Sequence, residues 1–199
     1  MDVPKNDERP EESERAIGRY VMTVVMPLWI ASGGIDYWLH RRSRIESTSG
    51  TYESVLHASG ISMSALPVLA GLFLEVNAGV LLAMIVGYAA HAGMTIWDVE
   101  YASSKRDVVP LEQHVHGMLE FLPFTALSFM LVAHREQALA LVGRGEERPR
   151  FAFRRKRAPL PNRAVAATIG AFTSFVAIPY VEELVRCVRH ARASRGDAT

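Results

Sequence analysis

Residues 76–97 run without an Asp, Glu, Lys or Arg, and no other feature restricts the fold so severely. A helix of about 20 residues, rising 1.5 Å at each, crosses the ~30 Å hydrocarbon core of a bilayer. Four further runs of comparable purity lie at 20–35, 58–74, 114–133 and 164–181. Helices of soluble bundles alternate apolar and polar faces, and these runs do not. The sequence therefore predicts an all-α integral membrane helical bundle of about five transmembrane helices. Two hairpins form a four-helix core, and a C-terminal helix is added to it. Pro27 is expected to kink the first span. Trp38 and Trp97 stand at span ends, as interfacial aromatics do.

The charges removed from the spans are crowded into what remains. Residues 1–19 form a polar N-terminal tail, 20–134 hold the four-helix core, and 135–163 make a basic, proline-containing link with Arg154, Arg155, Lys156 and Arg157 in succession. Residues 164–199 carry the fifth span and a basic C-terminal tail from Arg186 onward. The formal net charge is only +1, so no global basic field calls for nucleic acid, and the basic run reads as a membrane-flanking patch or solvated loop. A single cysteine, Cys187, excludes an internal disulfide and any CxxC site. No cleavable signal peptide is expected. The chain reads as a multi-pass protein of a bacterial-type inner or plasma membrane.

Connectivity then sorts the polar residues by side. Five crossings place links 40–57 and 98–113 and the C-terminus on one face, and the N-terminus, the turn at Glu75 and link 135–163 on the other. The Lys/Arg balance leans toward a cytoplasmic N-terminus. On the first face, the opening span ends in Asp36 and His40, and the second is entered through Glu53 and His57. The third ends in His91 and Asp98, and the fourth begins with Glu112, His116 and Glu120. Each helix thus brings a carboxylate and a histidine, at helix-compatible spacing, to the same end of the bundle.

Ionisable groups near bilayer depth are costly and tend to face inward and pair. A divalent cation offsets that cost by binding several carboxylates and neutral imidazoles together. Asp36, His40, Glu53, His57, His91, Asp98, Glu112, His116 and Glu120 are accordingly the expected metal ligands, with iron favoured over zinc or manganese. Glu120, deeper than Glu112, reads as an inner ligand, a proton carrier or a partner of His91. Tyr88 and Tyr101 stand one turn from His91 and Asp98, and Lys105 and Arg106 read as solvated loop charge, with recognition of an anionic lipid head group as the alternative. In general idea the arrangement resembles the di-iron four-helix bundles and, loosely, the membrane-bound desaturase and hydroxylase class. The chain has neither Glu-x-x-His nor adjacent histidines, so no residue role is carried over from either.

The expected function is a metal-dependent membrane oxidoreductase acting on a lipid-like or apolar substrate, with an electron donor at the membrane face. Other classes fit less of the pattern: a bis-histidine haem electron-transfer protein, a transporter relaying charge through Glu75, Asp98 and Glu120, or a non-catalytic membrane partner. No glycine-rich phosphate loop, GxSxG elbow or HExxH motif supports hydrolase chemistry.

Overall fold

A computed structural model describes residues 8–157 and 159–196. Eight α-helices follow in order: α1 (Glu8–Tyr20), α2 (Met26–Ser43), α3 (Gly50–Phe73), α4 (Ala78–Lys105), α5 (Pro110–Ala133), α6 (Arg135–Leu141), α7 (Asn162–Phe172) and α8 (Ile178–Gly196). Among the described residues, five helical stretches are long and apolar enough to span a membrane: Glu12–Ser43, Gly50–Phe73, Ala78–Lys105, Pro110–Ala133 and Asn162–Gly196. The chain is an all-α membrane-type bundle, as its hydropathy pattern predicts.

The first and last spans are each one helix interrupted by a single π turn. Val21–Val25 joins α1 to α2, with the Met26 N–H reaching Val21 O, and Thr173–Ala177 joins α7 to α8, with Ile178 N–H reaching Thr173 O. Each turn ends two residues before a proline, Pro27 or Pro179. Proline lacks the N–H for the regular ladder and its ring crowds the carbonyl four residues back, so the widened turn relieves the clash locally. The kink expected at Pro27 takes this form. Helix α1 also occupies much of the stretch expected to be a polar tail; residues 1–7 of that tail lie outside the described residues.

The spans outrun their uncharged cores. Helix α3 begins at Gly50, α4 continues to Lys105, and α5 starts at Pro110, so Glu53, His57, Asp98 and Glu112 all sit on regular helix. The same holds for the last span: α8 continues from Val181 to Gly196, where the sequence reading expects a tail. Residues 197–199 of that tail lie outside the described residues.

Burial is inverted relative to a soluble bundle. Leu66, Ile96, Phe121, Val132 and Phe175 are more than 60% exposed, while Asp36, His40, Glu53, Glu112 and Glu183 are at most 2% exposed. Apolar side chains face outward where lipid would lie, and the interior at one end is ionic. Trp38, Tyr52 and Trp97 point outward beside Asp36, Glu53 and Asp98. Outward aromatics of this kind are what a membrane bundle shows at interfacial depth.

Helix α3 packs chiefly on α4, α2 on α5, and α8 on α3. The α3–α4 seam is close because Gly87 faces Pro67: a Cβ at Gly87 would lie 2.3 Å from the Pro67 ring. The ring cannot rotate away, so Gly87→Ala should separate the two helices. The expected loss is about 1–3 kcal/mol, read as a lowered melting temperature in detergent.

At the opposite end, the link after α6 folds back over the α3–α4 turn. Glu75 N donates to Arg154 O (2.8 Å), Lys156 N to Phe73 O (2.9 Å), and Gly79 N to Arg150 O (2.9 Å). Asn77 caps α4 through its side-chain oxygen and donates its amide to Ala152 O (2.7 Å). The basic run is thereby tied down as a strap across the end of the bundle.

Candidate functional site

Heptad-like stripes carry the ionic groups inward. On α2 the buried face runs Trp29, Gly33, Asp36, His40; on α3 it runs Glu53, His57, Gly60, Ser64. Helix α4 contributes Met84, His91 and Asp98, and α5 contributes Glu112 and His116. The fifth contribution has Tyr180, Glu183 and Cys187 on one face of α8, all buried.

Glu183 lies at the centre. Its Oε2 is 3.0 Å from His40 Nδ1 and its Oε1 is 2.8 Å from His57 Nδ1. The two imidazoles stack at 4.4 Å with their planes 5° apart. A carboxylate accepts and does not donate, so both Nδ1 atoms carry the hydrogen. In their neutral forms both Nε2 atoms are then bare lone pairs.

Those lone pairs face more carboxylates. His40 Nε2 is 3.5 Å from Asp36 Oδ2 and 3.4 Å from Glu112 Oε1. His57 Nε2 is 3.1 Å from Asp98 Oδ2 and 3.8 Å from Glu53 Oε1. His116 Nε2 stands 3.1 Å from Asp36 Oδ1. Besides the His40/His57/Glu183 trio just described, two donor sets result, Asp36/His40/Glu112/His116 and Glu53/His57/Asp98, and all three have their ligand atoms within 4.8 Å of one another. Ligands bound at ~2.0–2.2 Å lie at most ~4.4 Å apart across one ion, so small side-chain shifts would close either set. Asp36 Oδ1, Asp98 Oδ1, His40 Nε2 and His116 Nδ1 are buried without a hydrogen-bonding partner. A cation held by either set would offer such atoms the partner they lack.

Arg106, just beyond α4, ties the two sets together. Its Nη2 lies 2.7 Å from Glu53 Oε1 and 2.5 Å from Glu112 Oε1, and its Nη1 donates to Glu112 Oε2 at 3.0 Å. Burial opposes its charge, but the hydrogen bonds to Glu112 and Glu53 prevail and hold its pKa above the ordinary arginine value. The loop-charge reading of Arg106, and its head-group alternative, give way to this internal role. Tyr180 donates to Asp36 Oδ2 at 2.6 Å, with its ring edge against both stacked imidazoles. Tyr180→Phe removes that donor from a buried carboxylate and should lower stability by about 1–3 kcal/mol, measured as a melting shift in detergent.

The remaining expected ligands are placed differently. His91 is buried, but its Nδ1 and Nε2 lie 3.2 and 3.3 Å from the carbonyls of Gly60 and Leu119, so it braces α3, α4 and α5 beneath the cluster. Glu120 is half-buried and belongs to neither donor set. Tyr101 donates to Ser49 O at 3.1 Å, and Tyr88 packs against Phe124. Glu183 and Tyr180 are the residues the sequence reading passes over. The signal for them is the spacing of Val176, Tyr180, Glu183 and Cys187, which puts one acid of the Glu182–Glu183 pair on the apolar face. Its neighbour Glu182 instead holds Tyr37 (2.7 Å) and Arg41 (3.0 Å), locking α8 to α2.

Comparison with protein-family models, with curated proteins and with solved structures gives no match. The functional reading therefore rests on this geometry alone.

Proposed function

We propose that the chain is a membrane oxidoreductase holding two divalent metal ions, iron favoured, at one membrane surface. One ion would take Asp36, His40, Glu112 and His116, and the other Glu53, His57 and Asp98. The observation that carries the reading is the pinning of both Nδ1 atoms on Glu183, which turns each Nε2 lone pair toward carboxylates. Lone pair against carboxylate is repulsive unless a proton or a metal cation stands between them, and a bound metal would take the place of that proton. Charge points the same way. Asp36, Glu53, Asp98, Glu112 and Glu183 against Arg106 leave four negative charges, which protonated imidazoles offset in part and two divalent cations would cancel in full.

A carboxylate-rich set with imidazoles on facing helices suits iron or manganese, and also zinc. Bound iron supplies redox chemistry toward O₂, whereas zinc would activate water. The protein residues have separable tasks. Glu183 orients the two imidazoles, Arg106 fixes the outer carboxylates, and Tyr180 holds Asp36 through its phenol hydrogen. The adjoining cavity is walled by Ile30, Leu56 and Val176 as well as by the ionic groups, which favours an apolar substrate. A bis-histidine haem needs its imidazoles on opposite faces of a macrocycle, and the 4.4 Å stack of His40 on His57 leaves no such space.

The test is elemental analysis of the purified protein, followed by oxygen uptake with a reductant and a membrane-lipid extract. About two ions per chain and uptake abolished by chelation are expected. A well-folded protein without stoichiometric metal would overturn the proposal.

A further inference from the structure

The half of the bundle opposite the ionic cluster holds a large, partly open cavity. A chamber of about 1980 Å³ lies among α1, α2, α3, α4 and α5, with the 150–161 strap at its outer end. Pockets for drug-sized ligands occupy about 300–1,000 Å³, so this space is large for a compact solute. Its wall is mainly apolar, with Val21, Val68, Met84, Leu122 and Met130 contributed by successive elements. Its inner end is formed by Trp29, Ser64 and His91. The same three residues line a smaller cavity of about 70 Å³, whose other walls include Asp36, His57, Asp98, His116 and Tyr180. Chamber and cluster therefore meet at Trp29, Ser64 and His91.

The outer end is charged. Arg15, Arg19, Arg150, Arg154, Lys156 and Arg157 line it, along with Glu12, Glu14, Glu75 and His134. Some of this charge is matched: His134 to Glu14 at 3.5 Å, Arg157 to Glu75 at 3.2 Å, and Arg150 to Glu147 at 3.6 Å. Lys156 is half-buried, and among the described residues no carboxylate lies within ion-pairing distance of it. Burial lowers its pKa, with Glu14 acting in the opposite sense. Backbone hydrogen bonding of the strap to Phe73 fixes this ammonium at the rim.

We infer that the chamber binds a long-chain amphiphile, its anionic head at Lys156 on the strap and its apolar chain running inward to Trp29 and His91. The distance supports an acyl-length chain. From Asn77 at the rim to His91 is about 20 Å at 1.5 Å per helical residue, somewhat more than half of a ~30 Å hydrocarbon core. Only the chain end reaches the small cavity, so the reacting carbon would be remote from the head group. The inference rests on the two-ion reading for its chemistry, but its geometry is independent of that reading.

Brominated hexadecanoates test it in nanodiscs, with Trp38→Phe and Trp97→Phe leaving Trp29 as the reporter. An ω-bromo chain is expected to quench Trp29 strongly and a 2-bromo chain weakly. Ala126→Phe, which intrudes a ring into the chamber, should reduce the difference, and Lys156→Ala should weaken binding roughly tenfold, the scale of a lost charge-assisted hydrogen bond. Hexadecanol should bind correspondingly less tightly than hexadecanoate. Equal quenching by the two bromo isomers would refute the inference without any variant, as would hexadecanol binding equally well. So would insensitivity to Ala126→Phe in a protein that melts normally. Metal content measured on the same samples separates the two ideas. Quenching that follows the ω-bromo pattern in a metal-free protein overturns the two-ion reading alone, and intact metal with no selective quenching overturns the chamber alone.

Discussion

His57→Ala is expected to halve the bound metal, from about two ions per chain to about one. His57 supplies Nε2 to the set formed with Glu53 and Asp98, and neither of those belongs to the set around His40. The four residues Asp36, His40, Glu112 and His116 keep their positions on α2 and α5, which pack against each other without α3. His116→Ala should produce the reciprocal loss, leaving the ion at His57. His91→Ala serves as the contrast: its ring nitrogens face the Gly60 and Leu119 carbonyls, so both ions should remain. Plasma mass spectrometry of protein purified in one batch reads all three. If His57→Ala and His91→Ala lose metal alike, the two-set assignment is wrong.

Glu183→Ala should have the larger effect, because it removes the common acceptor of both imidazoles. Each ring is then free to turn or to exchange tautomers, and both Nε2 lone pairs lose their aim. Loss of a group that orients a metal-bound histidine commonly costs about 10–100-fold in affinity, and here it acts at both ions. Breaking a buried ionic network by removing one partner costs about 3–5 kcal/mol, read as a large fall in melting temperature of the metal-loaded protein. In chelated protein the fall should be smaller, since deleting one carboxylate relieves part of the excess negative charge while both Nδ1–H groups still lose their acceptor. Glu183→Gln separates orientation from charge. Its amide oxygen satisfies one Nδ1–H while its NH₂ confronts the other, so one ion should be retained and one lost. A Glu183→Ala protein that melts normally and keeps both ions would remove Glu183 from the site.

The fold was legible because lipid-facing helices need no polar side, and runs such as 76–97 therefore announce themselves. Side assignment follows from connectivity, and it brings Asp36, His40, Glu53, His57, Asp98, Glu112 and His116 to one end. What escaped the sequence has physical reasons. Hydropathy ends a span at its first charges, so Glu182 and Glu183 read as the start of a tail, although helix continues to Gly196. Arg106 reads as loop charge because nothing local shows that Glu53, distant in sequence, will share its guanidinium with Glu112. His91 draws notice as a lone histidine in an apolar run, yet the carbonyls that face it belong to neighbouring helices and leave no mark in its own segment. Glu120 follows the spacing of Glu112 and His116, but α5 turns far enough over two turns to carry it away from the cluster.

That the carboxylate shared by His40 and His57 comes from the last span has a consequence for biogenesis. As the chain threads into the bilayer, α2 to α5 arrive first, carrying their acids and imidazoles without the residue that aligns them. Under the two-ion reading, metal met at that stage would be held loosely and exchanged readily. Insertion of α8 delivers Glu183 and Tyr180 together, and tight loading becomes possible only then. On that reading, the order of translation makes metal retention a report on complete membrane insertion.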